Sequence, residues 1–415
     1  MDDATQHDQP SNVDGWRGRW FTRRRVLLIA AFVSLLILTS STHVRIGFQS
    51  AAFLSEVFPD SPAYPARWFA DEPRRTMVQF PHGDTYHGAY LYHPVERGCY
   101  GGIVMYIGLG PEHGDPHLDR VSRAFARNGI SVLIPVSEPM VEFRLDANEH
   151  FIAGSAFEYL RDLPDVNPDR VGMFGISVGG AIVANAAQQE SIRDDVAMIH
   201  SLGGYYDAQT VLAHMGVRAF EAGDGEWHDW EPSSATFRAT RNSIVPLLPS
   251  DDRVAVWNLF GSDDTEIPPG LTEEGQAVAA VLVNRDRGRI PELLAELPEE
   301  VSAFLHEISP SAQIEDLSAT TLLLHDRFDH VLPYGESVRF AADAEQAGHG
   351  DVYLTILEQF HHVRPDEEGD RLSLLGDGIS LYWHIFRMHQ SMDDRGWVSS
   401  PLDLAPLFPG RNECS

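Results

Sequence analysis

The sequence predicts an α/β fold in which a mostly parallel sheet is covered by helices on both faces. From residue 76 onward, short continuous apolar runs alternate with amphipathic stretches of helical periodicity. Continuous apolar runs are typical of strands that are buried on both faces, as in parallel sheets. The composition of the 415-residue chain, with 43% hydrophobic and 22% charged residues, is that of a globular protein.

The predicted elements follow one another regularly up to residue 202. Two strands around a Pro-His-Gly-Asp turn come first, and four more strands separated by helices follow them. The strands are expected at 76–80, 89–93, 101–107, 130–136, 170–176 and 196–202. The helices are expected at 118–128, 148–163 and 179–189. Gly129 and Pro164 mark the ends of the first two helices, because glycine caps a helix and proline cannot continue one.

The alternation is interrupted between about residue 205 and residue 318. Two segments of this stretch have a helical pattern, 272–283 and 291–308, and the second contains Pro298 as an expected break. An interruption of roughly 110 residues is too long for a loop. We therefore predict a helical lid, residues 205–318, inserted late in the sheet. The remaining elements are predicted as strands at 320–325 and 352–357 and helices at 334–347 and 372–388.

The N-terminal region predicts a membrane segment. Residues 1–25 form a basic head that ends in three arginines, and residues 26–44 contain no Asp, Glu or Arg. A helix of this length is close to the thickness of a bilayer core, and arginine before it predicts a cytoplasmic N-terminus. An uncleaved single-pass anchor is the leading interpretation, with a cleaved export signal or a buried soluble helix as alternatives. Under the first two interpretations, the rest of the chain lies outside the cytoplasm.

The rest of the chain divides into three parts. Residues 45–75 are interpreted as a connector, 76–392 as the folded domain and 393–415 as an irregular tail. The 61 acidic and 31 basic residues give a net charge of -30, which excludes nucleic acid as a partner. Two cysteines, Cys99 and Cys414, exclude a disulfide-dense scaffold or a cysteine zinc cluster, and the sequence leaves open whether they pair.

The most informative motif is Gly175-Ile-Ser177-Val-Gly179, which lies between a predicted buried strand and a predicted helix. A turn of this kind holds the serine in a strained backbone conformation, with its hydroxyl clear of the sheet. Glycines are needed two residues before and after, because a Cβ atom there would collide where strand and helix pass closely. Ser177 is therefore a candidate nucleophile, and a turn serine without a chemical role is the alternative.

With this serine turn, the strand and helix alternation and the late insertion, the chain resembles the α/β-hydrolase superfamily, of the esterase and lipase kind. The resemblance covers about residues 76–392 and implies the chain order nucleophile, acid, histidine. Residues 325–333 resemble the superfamily's His-Gly-x-x-Asp-x-x-Val-Pro turn, with Asp326 in place of glycine. This register selects Asp329 as the acid, and Asp326 is the alternative.

The resemblance also implies the position of the histidine and of the oxyanion hole. Two adjacent histidines follow the last strand, and His362 is favoured over His361 because an aromatic residue stands two before it and an apolar residue follows it. The oxyanion hole would consist of two backbone N–H groups. One is that of Val178, and the other is that of Leu109, in the turn after the strand at 101–107.

The resemblance therefore implies a serine hydrolase that cleaves carboxylic esters through an acyl-enzyme on Ser177. A peptidase or acyltransferase using the same residues is one alternative, and a catalytically silent surface binding protein is another. No cofactor or metal is expected, since the polar loop with Glu112, Asp115 and His117 is interpreted as solvated. The expected partners are a small-molecule ester and, through the N-terminal segment, a membrane.

Overall fold

An eight-stranded sheet forms the centre of this computed structural model, which describes residues 25–29, 41–58, 61–95, 98–110, 112–223, 225–349, 351–358, 371–393 and 414. The strands run in the order β1-β2-β4-β3-β5-β6-β9-β10. Strand β2 is antiparallel to both of its neighbours, and all other neighbours are parallel. The sheet strands are β1 Arg74–His82, β2 Thr85–His93, β3 Tyr100–Tyr106, β4 Ile130–Pro135, β5 Val166–Ile176, β6 Met198–Leu202, β9 Thr320–Asp326 and β10 Val352–Leu357.

Helices precede, separate and follow these strands, and the sequence predicts those outside the insertion except the first, at 42–57, and a short one at 138–141. Outside the insertion they are α1 Thr42–Val57, α2 Pro116–Arg127, α3 Glu138–Val141, α4 Glu149–Arg161, α5 Val178–Ala187, α12 Gly335–Gln346 and α13 Arg371–Ser391. Within the insertion they are α6 Ala208–Val217, α7 Ser234–Ile244, α8 Arg253–Leu259, α9 Glu273–Val283, α10 Ile290–Ala295 and α11 Glu299–Glu307.

The two faces of the sheet carry separate apolar cores because side chains alternate along each strand. In β3, Val104 and Tyr106 pack with α4, α5 and α12, whereas Ile103 and Met105 pack with α1, α2 and α13. Every residue of β3 and β4 is buried, which explains their unbroken apolar sequences. Each large side chain buried in this way contributes about 2 kcal/mol to folding. The predicted mostly parallel sheet covered on both faces is confirmed.

Helix α1 lies in the stretch that was expected to be a connector. Its buried residues recur at helical spacing but are largely polar, and this composition hides the amphipathic pattern in the sequence. Phe53 packs on Phe125 of α2 with ring centroids 4.6 Å apart. Arg45 forms a buried ion pair of 2.8 Å with Asp393. Residues 42–57 are therefore a helix of the outer layer, and part of the expected connector belongs to the domain.

The predicted membrane segment falls mainly on residues 30–40, outside the described residues. Among the described residues, no helix is long and apolar enough to cross a membrane. Residues 25–29 are helical, and the apolar side chains of Val26, Leu27, Leu28 and Ile29 are 63 to 69% exposed. Residues 42–44, the end of the predicted segment, belong instead to α1.

A disulfide joins Cys99, directly before β3, to Cys414, across 315 positions of sequence. Sequence alone left this pairing open. The bridge fastens the C-terminal end of the chain to the beginning of a central strand.

The insertion between β6 and β9 is helical, but it differs from its prediction in detail. Only two helical segments were expected, whereas the described part contains six helices and a separate hairpin of β7 (Ala219–Glu221) and β8 (Trp227–Asp229). Most of the missed elements are short, so they carry too few periods for a hydrophobic pattern. The expected helix at 291–308 is two helices, α10 and α11, and Pro298 is the N-cap of the second.

Candidate active site

Ser177 occupies the sharp turn between β5 and α5. Its backbone angles are φ 56° and ψ -131°, in the left-handed region that few residues other than glycine adopt. The turn is held because the Ser177 N–H donates to the carbonyl of Leu202, at the end of β6, at 2.7 Å. The Ser177 carbonyl in turn accepts from the Gly180 N–H at 2.8 Å. This strain is of the kind that structures retain at functional sites.

The glycines around the serine are required by close backbone contacts. A Cβ atom on Gly175 would lie 2.2 Å from the carbonyl oxygen of Gly179. A Cβ atom on Gly179 would lie 2.3 Å from the carbonyl oxygen of Tyr106, at the end of β3. Both distances are far below van der Waals contact, so no side chain fits at either position. The motif is thus explained by the packing of α5 against β3 and β5.

The two predicted oxyanion donors lie on either side of Ser177. Val178 is the first residue of α5, where a helix leaves its N–H groups without an intrahelical acceptor. On the other side, a Cβ atom placed on Gly108 would lie 3.9 Å from Ser177 Oγ, so the turn that carries Leu109 passes beside the hydroxyl. Leu109 and Val178 both line the cavity above the serine. Two main-chain donors near one hydroxyl suit a developing oxyanion.

Asp329 is held rigidly in the turn after β9. One carboxylate oxygen, Oδ1, accepts from the N–H groups of Val331 at 2.7 Å and Leu332 at 3.1 Å. The other, Oδ2, lies 3.4 Å from Nε2 of His325, and the Asp329 side chain is only 1% exposed. Val331 and Leu332 also line the cavity that contains Ser177. The structure thus brings the predicted acid and the predicted nucleophile to one end of the sheet.

Asp326, the alternative acid, is the last residue of β9. It is also buried, at 4% exposure, and its Oδ1 accepts from the Phe328 N–H at 2.6 Å. Both carboxylates therefore remain candidates on burial alone. Asp329 differs in being oriented by two backbone N–H groups and an imidazole.

The predicted histidines, His361 and His362, lie outside the described residues. The described residues that precede them lie beside the turn of the predicted acid. Leu357, the last residue of β10, pairs with Asp326 in the parallel register, and its carbonyl accepts from the Arg327 N–H at 2.8 Å. Glu358 forms an ion pair of 2.7 Å with Arg327. The last described residue before the histidines therefore adjoins the turn that carries Asp329.

His325 is a site residue to which sequence reasoning assigned no role. It is completely buried at the end of β9. Its Nδ1 lies 2.8 Å from Ser337 Oγ, and its Nε2 lies 3.0 Å from the Leu332 carbonyl, in addition to its contact with Asp329. A histidine that ends an otherwise apolar strand is the signal that marks this position in the sequence.

A cavity of about 310 Å³ opens above Ser177, between the sheet and the lid. Its lining is mostly apolar. From the lid, α7 and α11 contribute Ala235, Thr236, Arg238, Ala239, Thr240, Ser243, Ile244, Phe304 and Leu305. The lid also contributes Tyr205 and Val211, and from the rest of the chain come, among others, Phe143 and Leu145. None of these residues belonged to the predicted site, because only the fold brings these separate segments together.

Hydrogen bonds tie the lid helix α7 to the turn of the predicted acid. Thr236 Oγ1 donates to the Val331 carbonyl at 2.8 Å, and the Ser233 N–H donates to the His330 carbonyl at 2.8 Å. Within the lid, the Tyr205 hydroxyl donates to the carbonyl of Ile308, just after α11, at 3.0 Å. The roof of the cavity is thus fixed to the elements that carry its floor.

The polar loop before α2 has structural roles. Asp115 is the N-cap of α2 and accepts from the His117 N–H at 2.6 Å. His113 Nε2 lies 3.2 Å from the carbonyl of Pro135. Within the described ranges, no group of three or more His, Cys, Asp and Glu residues is placed to hold a metal ion.

No protein-family model matches this chain, and no curated protein matches it. Similar solved structures include Pyrococcus horikoshii acylaminoacyl peptidase, at 15% identity and TM-score 0.46, over 81% of this chain and 44% of that one. They also include carboxyl esterase 2 from Tuber melanosporum, at 15% identity and TM-score 0.43, over 81% and 90% of the two chains. A bacterial heroin esterase matches at 15% identity and TM-score 0.45, over 78% and 86%.

The chain spans less than half the length of the peptidase that it matches. At such identities and scores, these likenesses say nothing about its activity. Its own architecture is more informative: the strand order with an antiparallel β2, the strained serine turn between β5 and α5, and the helical insertion between β6 and β9. By these features the chain has the α/β-hydrolase fold.

Proposed function

We propose that the protein is a serine hydrolase that cleaves carboxylic esters through an acyl-enzyme on Ser177. The observation that carries this proposal is the strained Ser177 turn at the floor of an apolar cavity, beside the turn in which two N–H groups hold Asp329. A serine is a weak nucleophile unless a base removes its proton and a second group orients that base. In this proposal His362 is the base and Asp329 orients it.

The proposed reaction has two steps. His362 takes the proton from Ser177 Oγ as the oxygen attacks the ester carbonyl, and the protonated histidine then donates to the departing alcohol. The N–H groups of Leu109 and Val178 stabilise the negative charge that develops on the carbonyl oxygen. Water activated by the same histidine then releases the acid and regenerates the serine.

The cavity favours an ester over a peptide. Its volume of about 310 Å³ is at the small end for ligand sites, and its lining offers few polar groups to align a peptide backbone. A peptidase or acyltransferase would need room for a chain or a second acceptor. A compact apolar acyl group suits the space that α7 and α11 enclose.

A fluorophosphonate probe tests the nucleophile. It should label the wild-type protein and fail to label Ser177→Ala, because the probe reacts only with an activated serine. The same variant should lose turnover of short p-nitrophenyl esters by at least about 10⁴-fold. Equal labelling of the two proteins would remove Ser177 from the mechanism, and labelling without ester turnover would exclude ester hydrolysis while keeping the nucleophile.

Paired variants test the acid and the base. Asp329→Asn should lower kcat by about 10⁴-fold, since an amide cannot stabilise the protonated histidine. Asp326→Asn is its control and should retain most activity. His362→Ala should be inactive and His361→Ala active. The reverse ranking within either pair would transfer the role to the other residue.

We also propose that the catalytic domain lies outside the cytoplasm, held by an N-terminal anchor. Three features support this: the arginines before the apolar segment, the exposed apolar side chains at 26–29, and the Cys99–Cys414 disulfide. Disulfides persist in oxidising compartments. N-terminal sequencing of the protein from its membrane fraction should recover residue 1 or 2. Recovery of a start beyond residue 30 in a soluble fraction would instead establish a cleaved signal.

A further inference from the structure

One residue that lines the cavity carries a charge. Arg238 projects from α7 and is exposed, so it lies where the cavity meets solvent. The other described lining residues are uncharged. Its guanidinium carbon lies 3.2 Å from the centroid of the Phe143 ring. The ring contacts the flat face of the guanidinium. The N–H groups lie in the plane of the guanidinium, so they remain available to bind a ligand.

A second arginine increases the positive charge at this edge of the cavity. Arg241 follows one helical turn later, and its guanidinium carbon lies 3.8 Å from the ring centroid of Trp257. Burial, together with the charge of Arg238, lowers the pKa of Arg241. Although the chain has 61 acidic and 31 basic residues, no carboxylate of the described residues forms an ion pair with Arg238 or Arg241.

The Phe143 ring is held in place by a strained backbone. Phe143 has φ 58°, and the only other non-glycine residues with positive φ in the described part of the chain are Ser177 and Arg218. Its N–H donates to the Met140 carbonyl at 3.0 Å, which closes the turn after α3. Such strain persists where the surrounding structure demands a defined side-chain position. Two of the three strained residues, Phe143 and Ser177, line the same cavity.

We propose that Arg238 is a specificity-determining residue that binds a carboxylate carried by the substrate. The proposal rests on the proposed ester hydrolysis and adds a substrate class: esters whose apolar portion fills the cavity and whose far end bears an anion. A guanidinium binds a carboxylate through two parallel N–H donors. Contact with the Phe143 ring fixes the plane of the Arg238 guanidinium. The charge of Arg241 makes the electrostatic potential at this edge of the cavity more positive, which attracts the anion.

The test measures binding without turnover. In the Ser177→Ala background, titration calorimetry at low salt compares the monomethyl and dimethyl esters of succinic, adipic, suberic and sebacic acid. The two ligands of each pair differ by one methyl group and one charge. We expect the monoester of at least one chain length to bind more tightly than its diester. Adding Arg238→Gln should weaken the binding of that monoester by about tenfold and the binding of its diester by less than twofold, since a charge-assisted hydrogen bond is lost.

Two further variants complete the experiment. Arg238→Lys keeps the charge without the planar donors and should retain part of the preference. Arg289→Gln removes the same charge from an exposed lid arginine that pairs with Glu292 and does not line the cavity, and it should change neither affinity. A preference that decreases with added salt would further support a charge contact.

The outcomes separate this proposal from the proposed function. If Arg238→Gln weakened the binding of monoester and diester equally, Arg238 would only pack against the cavity wall. If it left the affinities unchanged at all four chain lengths, Arg238 would not contact the ligand. Either result overturns the inference. Ester turnover by the wild-type protein is measured separately on neutral p-nitrophenyl esters. Its absence, with the binding preference intact, would refute ester hydrolysis and leave an anion-binding cavity.

Discussion

At the scale of single residues, the site depends on positions where no side chain fits. Gly179 packs against the Tyr106 carbonyl at the closest approach of α5 to β3. We expect Gly179→Ala to lower stability by at least about 3 kcal/mol and to abolish activity, because backbone must move to accommodate the methyl group. Thermal unfolding and fluorophosphonate labelling measure the two effects.

Gly378 provides a matched control. It is exposed on α13, and a Cβ atom there would meet nothing within 4 Å. Gly378→Ala should therefore stabilise the helix by about 0.5 to 1 kcal/mol and leave activity unchanged. If Gly179→Ala behaved like Gly378→Ala, the close packing around the serine turn would not matter for its geometry.

Residues within one local motif could be predicted, and residues assembled by the fold could not. Ser177 and its glycines could be recognised in the sequence because the turn consists of five consecutive residues. Asp329 was selected by the register of a nine-residue turn. By contrast, Phe143 and Arg238 meet across almost 100 positions of sequence, and no local pattern relates them.

At the scale of elements, α13 is joined to the sheet by a pair of buried histidines. His384 Nε2 on α13 lies 2.9 Å from His200 Nε2 on β6, and His384 Nδ1 lies 2.9 Å from Thr355 Oγ1 on β10. His200 also stacks on Phe174, with ring centroids 4.2 Å apart. Burial lowers the pKa of His384 to about 3, and burial and His384 lower the pKa of His200 well below its usual value.

This arrangement predicts a dependence of stability on pH. Both pKa values are lower in the folded state than in the unfolded chain, where a histidine titrates near 6.5. The stabilisation that the two neutral histidines provide is therefore complete above about pH 6.5. It is lost as the pH falls toward the pKa of the folded state, which is about 3 for His384. From pH 7.5 to pH 5, His384 should account for a loss of about 2 kcal/mol in the free energy of unfolding.

Urea unfolding of His384→Gln checks this prediction. Glutamine keeps hydrogen-bonding groups at the position but has no proton to gain, so the variant should lose less stability than the wild-type protein between pH 7.5 and pH 5. Equal losses in the two proteins would show that His384 is not the origin of the acid sensitivity.

Elements with a continuous run of apolar residues could be predicted, and elements that mix buried apolar and buried polar residues could not. Strands β3 and β4 are apolar throughout most of their length because both faces are covered, and β5 and β9 contain continuous apolar runs at 171–176 and 322–324. Helix α1 was missed because it buries Arg45, Gln49 and Glu56, and the charges of Arg45 and Glu56 find partners in the fold. The short lid helices were missed because tertiary contacts, and not periodicity, stabilise them.

At the scale of the whole molecule, the Cys99–Cys414 bridge closes most of the chain. The loop of 315 positions should stabilise the folded state by about 5 kcal/mol, since the cross-link restricts the unfolded chain. Reductant should therefore lower the unfolding temperature of the wild-type protein. Cys414→Ser should show the lowered value without reductant and no further change when it is added. If reductant shifted both proteins alike, the effect would have another origin.

The bridge also turns residues 99–414 into a covalent ring, and the whole lid lies within that ring. A protease that cuts one exposed lid loop would open the ring without releasing either piece. Such a cleaved protein would migrate as one species on a gel without reductant and as two with it, and it would keep Ser177 and Asp329 on a single, undivided sheet. Processing of the lid would therefore change access to the cavity while the sheet that carries Ser177 and Asp329 stays whole.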